Sequence, residues 1–284
     1  MKIIDKNSSK DNKTIKFLQL TKDNILTETA FIEEDDRFII CFASQLGCPI
    51  GCKFCYNGIY KNYYRNLSEL EIIEECKNVV KELQLEEKNK PILFSCMGVG
   101  EPLLNYNNVI NAINKLNILY QNSKFALATT GIKPELISKL IIDLKDIKNF
   151  KLTISLHASN EDLRRQIIPV DVSFEKIKEE ITKFKNNSNY TFEWNYVLLD
   201  NVNDNKNNIY ELLEFIDKDD LVKISYFNEI EGCIFKKSHN VKQVINILKN
   251  NNIDYKIFKS SGVDIEVGCG QMVTTYNKKI KRRW

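Results

Sequence analysis

Gly47-Cys48-Pro49-Ile50-Gly51-Cys52-Lys53-Phe54-Cys55-Tyr56 is the stretch on which the reading of this chain turns. Its cysteines follow the spacing CxxxCxxC, with an aromatic residue just before the last. Three thiolates on one tight loop can hold three irons of a [4Fe–4S] cluster and leave the fourth iron without a protein ligand. That open iron can bind the amino and carboxylate groups of S-adenosylmethionine and pass an electron to its sulfonium, releasing a 5′-deoxyadenosyl radical. A purely structural cluster would call for a fourth cysteine. A structural zinc would call for ligands spaced to close a tetrahedron, and with Cys41 nearby, count alone leaves zinc open. Phe54 sharpens the radical reading, because its ring can pack near the cofactor's adenine.

The chain has 284 residues, 43% of them hydrophobic and 28% charged, which suits one large α/β domain with its own core. No apolar run approaches the roughly 20 residues that span a bilayer, and the N-terminus lacks the apolar region of an export signal. Eight cysteines without such a signal point to ligands and catalytic thiols in a reducing cytoplasm, not to a disulfide framework. A net charge of +3 permits nucleic-acid binding without arguing for it. The basic tail, residues 278–284, reads equally as a solvated end or as a phosphate contact.

Residues 5–13 are polar and read as loose. Strands are expected over 14–20 and 25–32, around the turn-prone Thr21-Lys22-Asp23-Asn24. From 38 onward strands alternate with helices: strands at 38–44, 91–97, 125–129, 150–156, 192–199, 221–227 and 255–258, helices at 68–83, 106–120, 134–144, 174–185, 205–216 and 241–250. Ser68 is the expected N-cap of the first helix, with Glu71 three residues on. Such alternation predicts a parallel sheet with crossover helices. About six units make a partial (β/α)6 barrel with a short N-terminal β-hairpin extension. The expected division is 1–36 for tail and hairpin, 37–277 for the barrel and 278–284 for the tail. Function then belongs at the C-terminal ends of the strands, where the cysteine loop and Gly98–Pro102 both fall.

In Met97-Gly98-Val99-Gly100-Glu101-Pro102, glycine lets backbone approach a ligand, and Glu101 can accept from the cofactor's ammonium. His157, one of two histidines, ends a later strand in Ser155-Leu156-His157 and reads equally as a structural histidine or a cofactor contact. Cys41 lies on the strand leading into the cluster loop, and Cys269 between glycines in Gly268-Cys269-Gly270-Gln271. Cys76, Cys96 and Cys233 read as structural.

Together these segments resemble the RlmN and Cfr family of radical S-adenosylmethionine RNA methyltransferases. The likeness runs from Glu34-Asp35-Asp36-Arg37 through Gly47–Cys55, Met97–Asn105, Ser155-Leu156-His157, Ile168-Pro169 and Tyr196–Asp204 to Asp264-Ile265 and Cys269-Gly270-Gln271. It implies a radical-barrel fold, a [4Fe–4S] cluster on Cys48, Cys52 and Cys55, and S-adenosylmethionine held by Gly100, Glu101, Ser155, His157 and Asn228, beside Phe54. It implies that Cys269 first accepts a methyl group, that a radical formed on this methyl adds to an adenine carbon, normally C2, and that Cys41 assists proton removal and releases the product by forming a disulfide with Cys269. Glu34 matches the family's proton acceptor. The implied partners are ribosomal or transfer RNA and an electron donor such as flavodoxin or ferredoxin, with no membrane.

The departures concern substrate recognition. Family members carry a helical accessory domain ahead of the Glu34 region, where this chain has some thirty residues. Ala128 stands where the family has a cofactor-binding serine, with Thr129 and Thr130 as the available substitutes, and the segment around Asn228 is shortened. Tyr56, Tyr60, Tyr63, Tyr64 and Arg65 read either as an RNA-stacking loop or as an ordinary polar-aromatic one. Two other readings share the motifs: the same chemistry on a nucleotide, peptide or other small molecule, and a non-catalytic iron–sulfur RNA-binding protein. Retention of both Cys41 and Cys269 weighs against the latter.

Overall fold

Short strands with one apolar face, each followed by an amphipathic helix, leave this chain few ways to bury its apolar surface, and it builds one curved sheet with helices along one side. The computed structural model describes residues 1–262, 264–265, 271–273 and 276. The first strands are β1 (Lys2–Ser8), β2 (Thr14–Leu20), β3 (Leu26–Glu33) and β4 (Phe38–Cys41). After β4 come β5 (Gln45–Gly47), the one-turn helix α1 (Tyr56–Ile59), β6 (Tyr63–Asn66) and α2 (Glu69–Glu82). The alternating part continues with β7 (Ile92–Cys96), α3 (Tyr106–Leu119), β8 (Lys124–Thr129), α4 (Glu135–Asp143), β9 (Phe150–Ser155), α5 (Glu161–Ile167) and α6 (Phe174–Asn187). It closes with β10 (Thr191–Leu198), α7 (Lys206–Phe215), β11 (Val222–Tyr226), α8 (Val241–Asn250) and β12 (Tyr255–Phe258).

The main sheet has ten strands in the order β1-β2-β3-β4-β7-β8-β9-β10-β11-β12. From β4 to β12 every pairing is parallel, which gives the expected α/β barrel-type architecture. β1 to β4 pair antiparallel, so the sheet runs unbroken across position 36/37. β5 and β6 form a separate two-stranded pair. Side chains alternate with period two. Phe38, Ile40, Phe94, Phe125, Leu152, Ile154, Trp194 and Ile224 are buried in the core, while Cys41, Ser95, Thr153, Glu193, Asn195 and Lys223 occupy the alternate positions.

β1 covers residues 5–8, where the sequence predicts a loose segment over 5–13. β1 is an edge strand whose side chains are mostly exposed, so it carries no apolar alternation, and its backbone ladder to β2 holds it. The Met1 ammonium pairs with Glu74, and Lys6 Nζ reaches Glu82 Oε1 at 2.9 Å, tying the strand to α2. Ser68 and Glu71 form the expected capping box. Among the described residues no helix is long and apolar enough to cross a membrane.

Candidate active site

The cysteine loop follows β5, a few residues beyond the end of β4, and is pinned at both sides. Cys48 N–H donates to Asn62 O at 2.8 Å, and Lys53 N–H to Ile167 O at 2.9 Å, so the loop rests on the end of α5. Cys48, Cys52 and Cys55 are half-buried. Burial pushes the Cys48 thiol up to about 12 and Cys52 well above the usual range, and the neighbouring cysteines add to both. Such thiols give up their protons to a bound cation. Thiolates around one zinc would lie ~3.8 Å apart, given Zn–S of about 2.3 Å. The loop cysteines form no set with all ligand atoms within 4.8 Å; among the described residues only Asp217, Asp219 and Asp220 do, beside Lys185. The donor chemistry and this wider spacing fit a multi-iron cluster better than one ion.

The β7 loop crosses the end of β4 at close range. A Cβ on Gly98 would stand 2.4 Å from Phe42 O, and one on Gly100, whose φ is +113°, 2.4 Å from Ser44 Oγ. Only glycine fits both conditions. The loop delivers Glu101, which is 2% exposed. Its carboxylate accepts from Leu103 N–H at 3.0 Å, from Thr130 N–H and Oγ1 at 2.8 and 2.9 Å, and from Thr129 Oγ1. Burial raises its pKa against those donors. Thr129 and Thr130, the candidates to replace the serine missing at Ala128, thus both donate to Glu101.

At the end of β9, His157 adopts φ +58° and is 3% exposed. Its Nδ1 accepts from Val197 N–H at 3.0 Å, which leaves the ring proton on Nε2. Burial, with Arg164 and Lys223 nearby, holds its pKa down to about 3, so the ring is neutral. Phe54 meets it edge-on, with centroids 4.9 Å apart, linking the cluster loop to the Ser155–His157 turn. The turn is held by Asn203, which the family likeness spans but no residue-level reading singled out. Asn203 Nδ2 donates to His157 O and Val197 O at 2.8 and 2.7 Å, and its Oδ1 accepts from Leu199 N–H at 2.8 Å.

Cys41 ends β4, opposite Ala30 and Ser95. Across the sheet's inner face lies Glu193, contacted by Lys256, by Thr153 Oγ1 at 2.9 Å and by Lys151 at 3.6 Å. Lys223 lies 3.8 Å from the same carboxylate, and burial brings its ammonium down to about 8. Asn228 follows β11, its Nδ2 donating to Ser260 Oγ at 2.7 Å. Glu34 is not brought to this end. It sits in the β3–β4 turn, at the N-terminal end of β4, paired with Arg37 at 2.6 Å. The carboxylate that does reach the C-terminal segment is Glu28 on β3, which is buried, accepts Lys16 Nζ at 3.0 Å and accepts Met272 N–H at 3.1 Å. In β3 the run Thr27-Glu28-Thr29 reads as polar and solvent-facing, so no local signal marks Glu28. Cys269, its pairing with Cys41, and the tail 278–284 lie outside the described residues.

The radical SAM superfamily model matches residues 43–214 of the chain. A Cytophaga hutchinsonii protein named probable dual-specificity RNA methyltransferase RlmN is 34% identical over 272 residues, 91% of this chain and 72% of the relative. One of the same name from Petrotoga mobilis is 32% identical over 288 residues, 99% of this chain and 80% of the relative. The crystal structure of a radical SAM methyltransferase from Sphaerobacter thermophilus superposes with a TM-score of 0.87 at 26% identity, covering 95% of this chain and 80% of that one.

Proposed function

The chain belongs to the radical SAM superfamily and, within it, to the RlmN family, and on that premise we propose that it methylates an adenine carbon, C2 foremost, in ribosomal or transfer RNA by way of a methylated Cys269. It is a radical SAM enzyme whose cofactors are a [4Fe–4S] cluster and S-adenosylmethionine. When bound, these supply one-electron chemistry, which an adenine ring carbon needs because it is too poor a nucleophile for simple displacement. Cys48, Cys52 and Cys55 hold the iron, and Gly100, Glu101, Ser155, His157, Asn228 and Phe54 surround the cofactor. Cys269 carries the methyl group as a thioether, a role suited to a nucleophilic thiolate. Cys41 takes part in proton removal and frees the product. Glu28 is the carboxylate placed to accept a proton there.

The observation that carries this reading is the return of the C-terminal segment to the β3–β4 side of the sheet. Met272 N–H meets Glu28, and Lys10 N–H donates to Asp264 Oδ2 at 2.8 Å. Met272, three residues along the chain from Cys269, thus contacts β3, the strand that pairs with Cys41. The target base leaves its stack to enter the site, and the exposed Tyr63 and Tyr64 offer rings to its neighbours. An electron donor of the flavodoxin or ferredoxin class and a cytoplasmic setting complete the proposal. Incubation of the anaerobically reconstituted protein with ribosomal and transfer RNA, followed by nucleoside analysis, tests it. New 2-methyladenosine is expected. A methylated small molecule or peptide in place of RNA would overturn the substrate.

A further inference from the structure

Among the described residues, Arg164 is the largest charged side chain that is fully buried, at 1% exposed. It stands on α5, the helix whose C-terminal end receives the cysteine loop through Lys53 N–H and Ile167 O. Its guanidinium is held in place from the ends of β8 and β9. Nε donates to Leu156 O at 3.3 Å, and Nη2 to Ser155 O at 3.3 Å and to Thr130 O. Phe174 covers it, with its ring centroid 5.9 Å away. Nη1 is buried and has no hydrogen-bond partner. A guanidinium stays protonated in proteins, so a buried donor left unmade here is costly. The charge-bearing groups acting on Arg164 are Cys52, Glu101 and Glu161, the first two belonging to the site itself. A fixed cation with one unused donor therefore stands on the helix that receives the cysteine loop.

We propose that Arg164 is a positioning residue for the cluster: its Nη1 donates to the sulfur edge at Cys52 and holds the cluster's reduction potential up. This rests on the cluster reading above. Reduction adds one electron from a low-potential donor and makes the cluster more negative by one charge, with no proton or bond exchanged. Hydrogen bonds to cluster sulfurs and nearby positive charge favour that change and raise the potential. The carbonyl clamp supplied by Thr130, Ser155 and Leu156 keeps the guanidinium aimed, so its reorganisation cost on reduction is small.

The test is an EPR-monitored redox titration of the reconstituted protein without S-adenosylmethionine, comparing Arg164→Gln and Arg164→Lys with the natural chain. Arg164→Gln is expected to lower the equilibrium constant for one-electron reduction at least tenfold, a fall of about 59 mV, with partial rescue by Arg164→Lys. An unchanged potential overturns the proposal. Unchanged potential with weakened S-adenosylmethionine binding would also overturn it, assigning the guanidinium to the cofactor's carboxylate. Because Arg164→Gln removes three carbonyl contacts and can fail to fold, the natural chain is also labelled with guanidino-15N arginine. A nitrogen hyperfine coupling to its reduced cluster, without S-adenosylmethionine, is expected, and its absence overturns the proposal. Failure of the natural chain to assemble any [4Fe–4S] cluster would instead refute the underlying cluster reading.

Discussion

Replacing Asn203 by alanine removes one side chain and strands three backbone groups. Leu199 N–H loses its acceptor, and the carbonyls of His157 and Val197 lose a donor each. Asn203 is fully buried, so water has poor access to compensate. An orphaned buried polar group costs about 1–3 kcal/mol, and three at the low end amount to about 3 kcal/mol. The clamp also holds His157 in a left-handed conformation that costs a non-glycine residue about 1–2 kcal/mol, and once released the turn is free to relax. That relaxation returns about 1–2 kcal/mol, so a net loss of about 1–2 kcal/mol follows, a sizeable share of the ~5–15 kcal/mol typical of folded domains. Asn203→Asp keeps the acceptor for Leu199 but sets a carboxylate against two carbonyls, so it should do no better than alanine. Urea denaturation of the cluster-free protein gives both values. A loss under about 0.5 kcal/mol for Asn203→Ala, inside the range of an ordinary surface change, would refute the account of this turn.

Other outcomes follow from the same geometry. Burial raises Glu75 to about 8, against donors from Thr29 and Ala43. Its folded-state pKa lies above the unfolded value, so the native protein holds the extra proton and stability falls as pH rises from about 4.5 to 8, by a few kcal/mol at most; Glu75→Gln should flatten that slope in pH-dependent denaturation. Glu28→Gln should slow RNA methylation by about 100-fold or more, the scale of a lost acid–base group, whereas Glu34→Gln, exposed at the far end of β4, should leave it unchanged; equal effects would reverse the assignment. Cys52→Ser should abolish the iron–sulfur absorption and S-adenosylmethionine cleavage together. Tyr63→Ala and Tyr64→Ala should weaken RNA binding in a salt-dependent titration while cofactor cleavage persists.

The site was legible in the sequence where its chemistry depends on local spacing. The cysteine loop, Gly98–Pro102 and Ser155–His157 each follow a core strand, and the strand–helix alternation placed them at one end of a parallel sheet. The capping box at Ser68 and Glu71 was equally local. What escaped depends on contacts between distant segments. β1 has no apolar alternation because its side chains face water, and only its ladder to β2 orders it. α5 is too short for a helical period to emerge, so Arg164 read as one more charged residue. Glu28 and Glu193 look like solvent-facing positions of alternating strands, because the sheet's inner face is itself polar, and Glu75 looks like one more charged residue of a helix although its carboxylate is buried against Thr29 and Ala43. Glu34 matches the family's proton acceptor by the likeness of an acidic run, but that run precedes β4, so the fold sets it at the strand's N-terminal end, away from the cysteine loop.

Anaerobic purification with the cluster intact, then mass spectrometry of the peptide containing Cys269, tests the central claim most directly. The account predicts S-methyl-Cys269 in protein supplied with S-adenosylmethionine, and loss of that methyl to RNA on reduction. An unmethylated Cys269 in a preparation that still cleaves S-adenosylmethionine would contradict it, because the radical chemistry would then proceed without the proposed methyl carrier.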